Sequence, residues 1–148
     1  MDTTASDPQS RRLKEIMQGG DWDENGRVLL IEDDPMIREV IEEILTAEGC
    51  EVRIAFDGKS ALVLLESWPP SLILLDLRMP DMDGASFAAA YRQQGGPHAP
   101  IVLVTAASQD TTAEAALRIG AVAVIRKPFD LSELLNVVER FSPCVSAT

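Results

Sequence analysis

Histidine occurs once in these 148 residues, at His98, and cysteine twice, at Cys50 and Cys144. A metal centre built on several imidazoles is thereby excluded, and a Ser-His-Asp triad is argued against. The two cysteines have neither CxxC spacing nor the density of a disulfide scaffold. They read as free thiols of a cytoplasmic protein. Basic residues are scarce, 13 Lys and Arg against 24 Asp and Glu, for a formal net charge of −11. That balance argues against nonspecific binding to nucleic acid or to an anionic membrane, and it suits cation binding or a basic partner surface. No apolar run reaches the roughly 18 residues that span a bilayer, and the N-terminus is too polar for a signal peptide. Neither G-x-G-x-x-G nor G-x-x-x-x-G-K-[ST] follows the first apolar run, which removes the common nucleotide-binding loops.

What is present is one domain's worth of regular alternation. Residues 1–26 are rich in Asp, Ser, Thr, Gln and Gly and read as a disordered extension. Leu13, Ile16 and Met17 could form one or two turns of helix near 11–18. From Arg27 onward, short apolar runs alternate with helical periodicity five times. The runs are 27–31, 51–55, 72–75, 101–104 and 121–125. Helices are expected after Asp34-Pro35, after Asp57-Gly58, after Gly84, from about Thr112 to Ile119, and after Asp130, with Glu133 completing a capping box. The second run alternates polar and apolar and suits a sheet edge. Residues 27–141 thus form one α/β domain, a parallel sheet with right-handed crossovers and helices on both faces, followed by a tail at 142–148. Met36, Trp68, Met79 and Phe129 read as packing or loop-anchoring residues, and Gly84 as a residue chosen for its backbone freedom.

Leu72-Ile73-Leu74-Leu75 delivers one carboxylate, Asp76, where a doubly buried strand meets a loop. Alone, this acid reads equally as a helix cap or as a functional group. The other polar residues that follow strands change the balance: Glu32 and Asp33 after the first, Thr105 ending the fourth, Lys127 after the fifth. In an open α/β sheet these ends share one edge. Three crowded carboxylates repel, and a hard divalent cation relieves the repulsion, Mg²⁺ first and Mn²⁺ as the alternative. A carboxylate can itself accept a phosphoryl group, and such catalysis is mostly alignment and charge neutralisation. On this reading Asp76 is the acceptor, Asp33 a direct metal ligand, Glu32 a ligand through water, and the Arg78 backbone carbonyl a further ligand. Lys127 and Thr105 would neutralise and hydrogen-bond the phosphoryl oxygens. An EF-hand at Asp81-Met82-Asp83-Gly84 fails on spacing. A haloacid-dehalogenase-type phosphatase would want Asp where Arg78 stands.

Four fragments together carry a resemblance: Leu30-Ile31-Glu32-Asp33-Asp34-Pro35, the stretch from Leu74 to Gly84, Val104-Thr105-Ala106, and Lys127-Pro128-Phe129. In this order the chain resembles the receiver domain of two-component response regulators over about 27–141. The resemblance implies a (βα)5 flavodoxin-like three-layer sandwich with a five-stranded parallel sheet of order 2-1-3-4-5. It implies Mg²⁺-dependent phosphoryl transfer from a phosphohistidine to Asp76 and slow self-hydrolysis, rather than an enzyme acting on an external substrate. It implies a cis Lys127-Pro128 bond and a switch in which Thr105 moves toward the phosphoryl group. Val124 stands where the family commonly has Tyr or Phe, so a rotating aromatic gate cannot operate there.

The implied partners are a histidine kinase and/or a histidine phosphotransfer protein, with no nucleic acid and no membrane. The chain itself is expected as a monomer or a phosphorylation-dependent homodimer. The tail after 141 is too short to fold, so a stand-alone receiver is expected. The alternatives are a receiver fragment of a hybrid histidine kinase, and a degenerate receiver acting as a phosphate-independent interaction module.

Overall fold

The computed structural model describes residues 26–142. Residues 1–25 of the extension, where a helix could form near 11–18, and Cys144 lie outside the described residues. Ten elements alternate: β1 (Arg27–Ile31), α1 (Pro35–Ala47), β2 (Glu51–Ala55), α2 (Gly58–Leu65), β3 (Leu72–Leu75), α3 (Gly84–Gln93), β4 (Ile101–Thr105), α4 (Gln109–Ile119), β5 (Ala123–Arg126) and α5 (Leu131–Phe141). All strand pairs are parallel, in the order β2-β1-β3-β4-β5. The expected fold is borne out.

The apolar runs are continuous because both faces of the sheet are covered. Leu29, Ile31, Ile73, Leu75 and Leu103 pack with Ala61, Phe87, Ala88 and Ile119 on the side of α2, α3 and α4. Val28, Leu30, Leu72, Leu74, Val102 and Val104 pack with Ile41, Leu45, Leu134 and Val138 on the side of α1 and α5. Alternate residues of one strand thus feed opposite cores. β2 lies at the sheet edge and is buried on one end only, as its alternation indicated.

Acidic and hydroxyl side chains start the helices. Asp34, Asp57, Asp83, Ser108 and Asp130 each accept a backbone N–H of the following first turn. Asp130 and Glu133 form the expected capping box. α4 begins at Gln109, earlier than expected, because the Ser108 hydroxyl caps it through Thr111 N–H at 3.2 Å. Its polar first turn carries no apolar periodicity.

Three expectations need correction. Met36 is 75% exposed and Val40, one turn on, 47%, because the inner stripe of α1 runs through Ile41 and Leu45. Gly84 does not adopt a left-handed backbone; a Cβ there would lie 2.6 Å from Ile119 Cδ1, so its role is close approach of α3 to α4. Cys50, buried at the turn into β2, is disulfide-bonded and not a free thiol. Spacing along the chain does not encode which sulfurs a fold brings together.

Candidate functional site

The residues singled out after the strands do meet, and backbone hydrogen bonds explain why. The parallel ladder continues beyond the strand ends: Glu32 N–H donates to Ala55 O at 3.3 Å, Asp76 N–H to Ile31 O at 2.9 Å, and Lys127 N–H to Thr105 O at 2.8 Å. Each polar residue is therefore held in register with the strand beside it. Order in the sheet then sets order at the edge, with Glu32 beside Asp76 and Thr105 beside Lys127.

Glu32, Asp76 and Thr105 are almost fully buried, at 1%, 2% and 1% exposure, whereas Asp33 is open to solvent. One carboxylate oxygen from each of Glu32, Asp33 and Asp76 lies within 4.8 Å of the others. The Lys127 ammonium is 2.9 Å from Glu32 Oε1 and 3.5 Å from Asp76 Oδ2. Neither oxygen has a well-aligned hydrogen bond, so these two buried acceptors rely on that one ammonium. Burial, together with the neighbouring Asp76 carboxylate, pushes the Glu32 pKa up to about 7, while Lys127 pulls it down.

Three acids opposite one lysine leave an excess of negative charge facing an open side. Hard carboxylate oxygens, two of them without well-aligned hydrogen-bond donors, suit a small divalent cation. The remaining contacts set orientation. Asp76 Oδ1 accepts the Arg78 N–H at 3.2 Å. The Thr105 hydroxyl accepts the Ala107 N–H at 3.0 Å, which leaves its own hydrogen free to donate. Val124 pairs with Leu103 in the ladder and packs toward the α2–α4 side. The Lys127–Pro128 bond is cis.

Three residues that the sequence did not flag also hold the site's loops. Asp81, in the loop after Asp76, accepts the N–H groups of Gly58 and Lys59 at 2.9 and 2.8 Å, tying that loop to the start of α2. Arg126 donates to Ala107 O at 2.8 Å and to the Thr112 hydroxyl at 3.4 Å, bracing the loop after Thr105. Arg38 of α1 donates to the carbonyls of Glu32 and Asp33. Long-range contacts of this kind leave no local pattern; Asp81 beside Pro80 was the nearest to a signal.

A family model for the response regulator receiver domain matches residues 28–139. PdtaR of Mycobacterium tuberculosis, a transcriptional regulatory protein, is 40% identical over 114 residues, covering 76% of this chain and 55% of that protein. The regulatory protein AtoC of Escherichia coli is 36% identical over 114 residues, covering 77% of this chain and 24% of AtoC. The chain thus spans about a quarter to about half the length of these relatives. Among solved structures, it is similar to the receiver domain of the sensor histidine kinase PA1611 from Pseudomonas aeruginosa PAO1. The TM-score is 0.73 at 33% identity, over 79% of this chain and 97% of that one. That crystal structure has a magnesium ion coordinated in its active site cleft.

Proposed function

This chain belongs to the response regulator receiver domain family, and from that premise we propose that Asp76 accepts a phosphoryl group from a phosphohistidine. The observation that carries the proposal is the meeting of Glu32, Asp33 and Asp76 within 4.8 Å, with Lys127 against two of them. The receiver extends over residues 27–141. Asp33, Asp76 and the Arg78 carbonyl would hold the cation directly and Glu32 through water, with Mg²⁺ as the expected ion. When bound, the cation supplies charge neutralisation that the single lysine does not complete.

One Asp76 carboxylate oxygen attacks phosphorus; the P–O bond forms as the P–N bond to the donor imidazole breaks, and the imidazole leaves with a proton. Lys127 neutralises one phosphoryl oxygen and the Thr105 hydroxyl donates to another. Drawing that hydroxyl toward Asp76 disturbs its contact with the Ala107 N–H, which is the start of a conformational readout. With Val124 in place of an aromatic, that readout proceeds without a rotating ring. The donor is a histidine kinase or a histidine phosphotransfer protein, the chain is a monomer or a phosphorylation-dependent homodimer, and the location is the cytoplasm, where ATP charges such donors. Among the described residues no helix is long and apolar enough to cross a membrane.

The test is incubation with Mg²⁺ and phosphoramidate, read by intact mass. One acid- and base-labile phosphoryl group is expected on the wild type and none on Asp76→Asn. Equal modification of both proteins sinks the assignment.

A further inference from the structure

Arg38 lies one turn into α1, outside every motif that defines the acidic site. Its Nη1 donates to two backbone carbonyls, Glu32 O at 3.2 Å and Asp33 O at 3.1 Å. Its guanidinium carbon lies 4.3 Å from the ring centre of Phe56, a residue that is 59% exposed. The aromatic face thus steadies a guanidinium that grips the loop carrying two of the three acids.

Only Glu32, Asp33 and Asp34 connect β1 to α1. The loop's ends are held independently. Glu32 N–H donates to Ala55 O, and the Asp34 side chain caps α1 through Met36 N–H at 2.9 Å. Between those ends the Asp34 N–H donates to Glu32 Oε2 at 3.3 Å, and Arg38 holds the carbonyls of the two peptide planes after Glu32 and Asp33. Asp33 is exposed, so burial does little to aim it. We propose that Arg38 is a positioning residue for divalent-cation binding: by fixing these two peptide planes it holds the Glu32 and Asp33 carboxylates toward Asp76. The inference rests on reading Glu32, Asp33 and Asp76 as a cation site.

Charge and geometry make opposite demands here, and that separates the proposal from a simple electrostatic effect. A fixed positive charge near the site repels a cation, so removing it should tighten binding if charge alone mattered. Positioning demands the reverse. Arginine suits the role because its planar, permanently charged fork donates along fixed directions, whereas lysine offers a single mobile ammonium.

The experiment measures Mn²⁺ affinity of the full chain from the loss of the free aqueous Mn²⁺ resonance. Wild type is compared with Arg38→Met, Arg38→Lys, Phe56→Ala and Asp33→Asn. We expect Arg38→Met to bind about tenfold more weakly, the size of loss seen when groups that orient metal ligands are removed. Arg38→Lys should fall between Met and wild type, and Phe56→Ala should show a smaller loss in the same direction. Arg38→Met binding as tightly as wild type or tighter, or Arg38→Lys matching wild type, overturns the inference while leaving the site intact. Asp33→Asn binding like wild type overturns the cation site and the inference with it. Should Arg38→Met fail to fold, Phe56→Ala still decides, since an exposed ring contributes little to the core; unchanged affinity there counts against the grip.

Discussion

The Lys127 ammonium sits 2.9 Å from Glu32 Oε1, nearer than its 3.5 Å approach to Asp76 Oδ2. The lysine therefore rests mainly on an acid that is not the proposed acceptor, and Asp76 is only partly neutralised. The proposed phosphoryl chemistry at Asp76 would then begin from an under-compensated carboxylate.

Relieving that repulsion should stabilise the fold. In the presence of a chelator, Asp76→Asn should be more stable than wild type by roughly 1 kcal/mol, the size of one unit of pKa interaction. For a chain of this size that is a rise in Tm of about 3 °C. Added Mg²⁺ should raise the wild-type Tm and move the variant less. A lower Tm for Asp76→Asn in chelator would contradict this charge balance.

Removing the lysine should do the reverse. Lys127→Ala leaves Glu32 and Asp76 buried without the ammonium that faces them. Breaking a buried pair from one side costs about 3 kcal/mol, and protonation of Glu32 recovers part of it. Urea unfolding at pH 8 should show the loss. Separately, any Asp76 phosphorylation that remains in Lys127→Ala should no longer shift the backbone amides of the β4–α4 loop. An unchanged amide response would remove Lys127 from the mechanism.

Gly84→Ala should be destabilised by roughly 1–3 kcal/mol, the usual cost of overpacking. The new methyl would lie 2.6 Å from Ile119 Cδ1, and Ile119 is fully buried. Ile119→Val in the same background should recover part of the loss, since it removes the opposing methyl. A double variant no more stable than Gly84→Ala would place the strain elsewhere.

The capping acids set an acid limb. Asp83 and Asp130 have pKa values below the ordinary 3.8, chiefly through the Ser86 and Glu133 N–H groups they accept. A carboxylate with a lowered folded pKa contributes stability that is present above its unfolded pKa and lost as pH falls through the folded value. Stability should fall as pH drops below about 4, and the double variant Asp83→Asn/Asp130→Asn should fall less between pH 5 and pH 2.5. Urea midpoints across that range make the comparison. Parallel losses in both proteins would contradict the assignment.

The acid that caps a helix and the acid that sits in the site look alike in sequence. Asp34 follows Asp33 directly, yet one caps α1 and the other joins Glu32 and Asp76. What distinguished them was position relative to strand ends, and that was readable because the apolar runs marked those ends. Arg38, Asp81 and Arg126 were not readable. Each reaches across the fold to backbone groups, and one surface Arg or Asp resembles another until the loops are in place. Cys50 failed for the same reason, since its bonding depends on what the fold brings to it.

By itself, the sequence determined the parallel sheet, its two-sided core and the edge that gathers Glu32, Asp33, Asp76, Thr105 and Lys127. Local periodicity sets the elements and the rules of chain connection make the sheet parallel, while its strand order followed from the resemblance to receiver domains. Only the tertiary structure decided which acid Lys127 rests on, how closely α3 approaches α4 at position 84, and which side chains grip the loops. Those depend on distances of a few ångströms between residues remote in the chain, which no local pattern records.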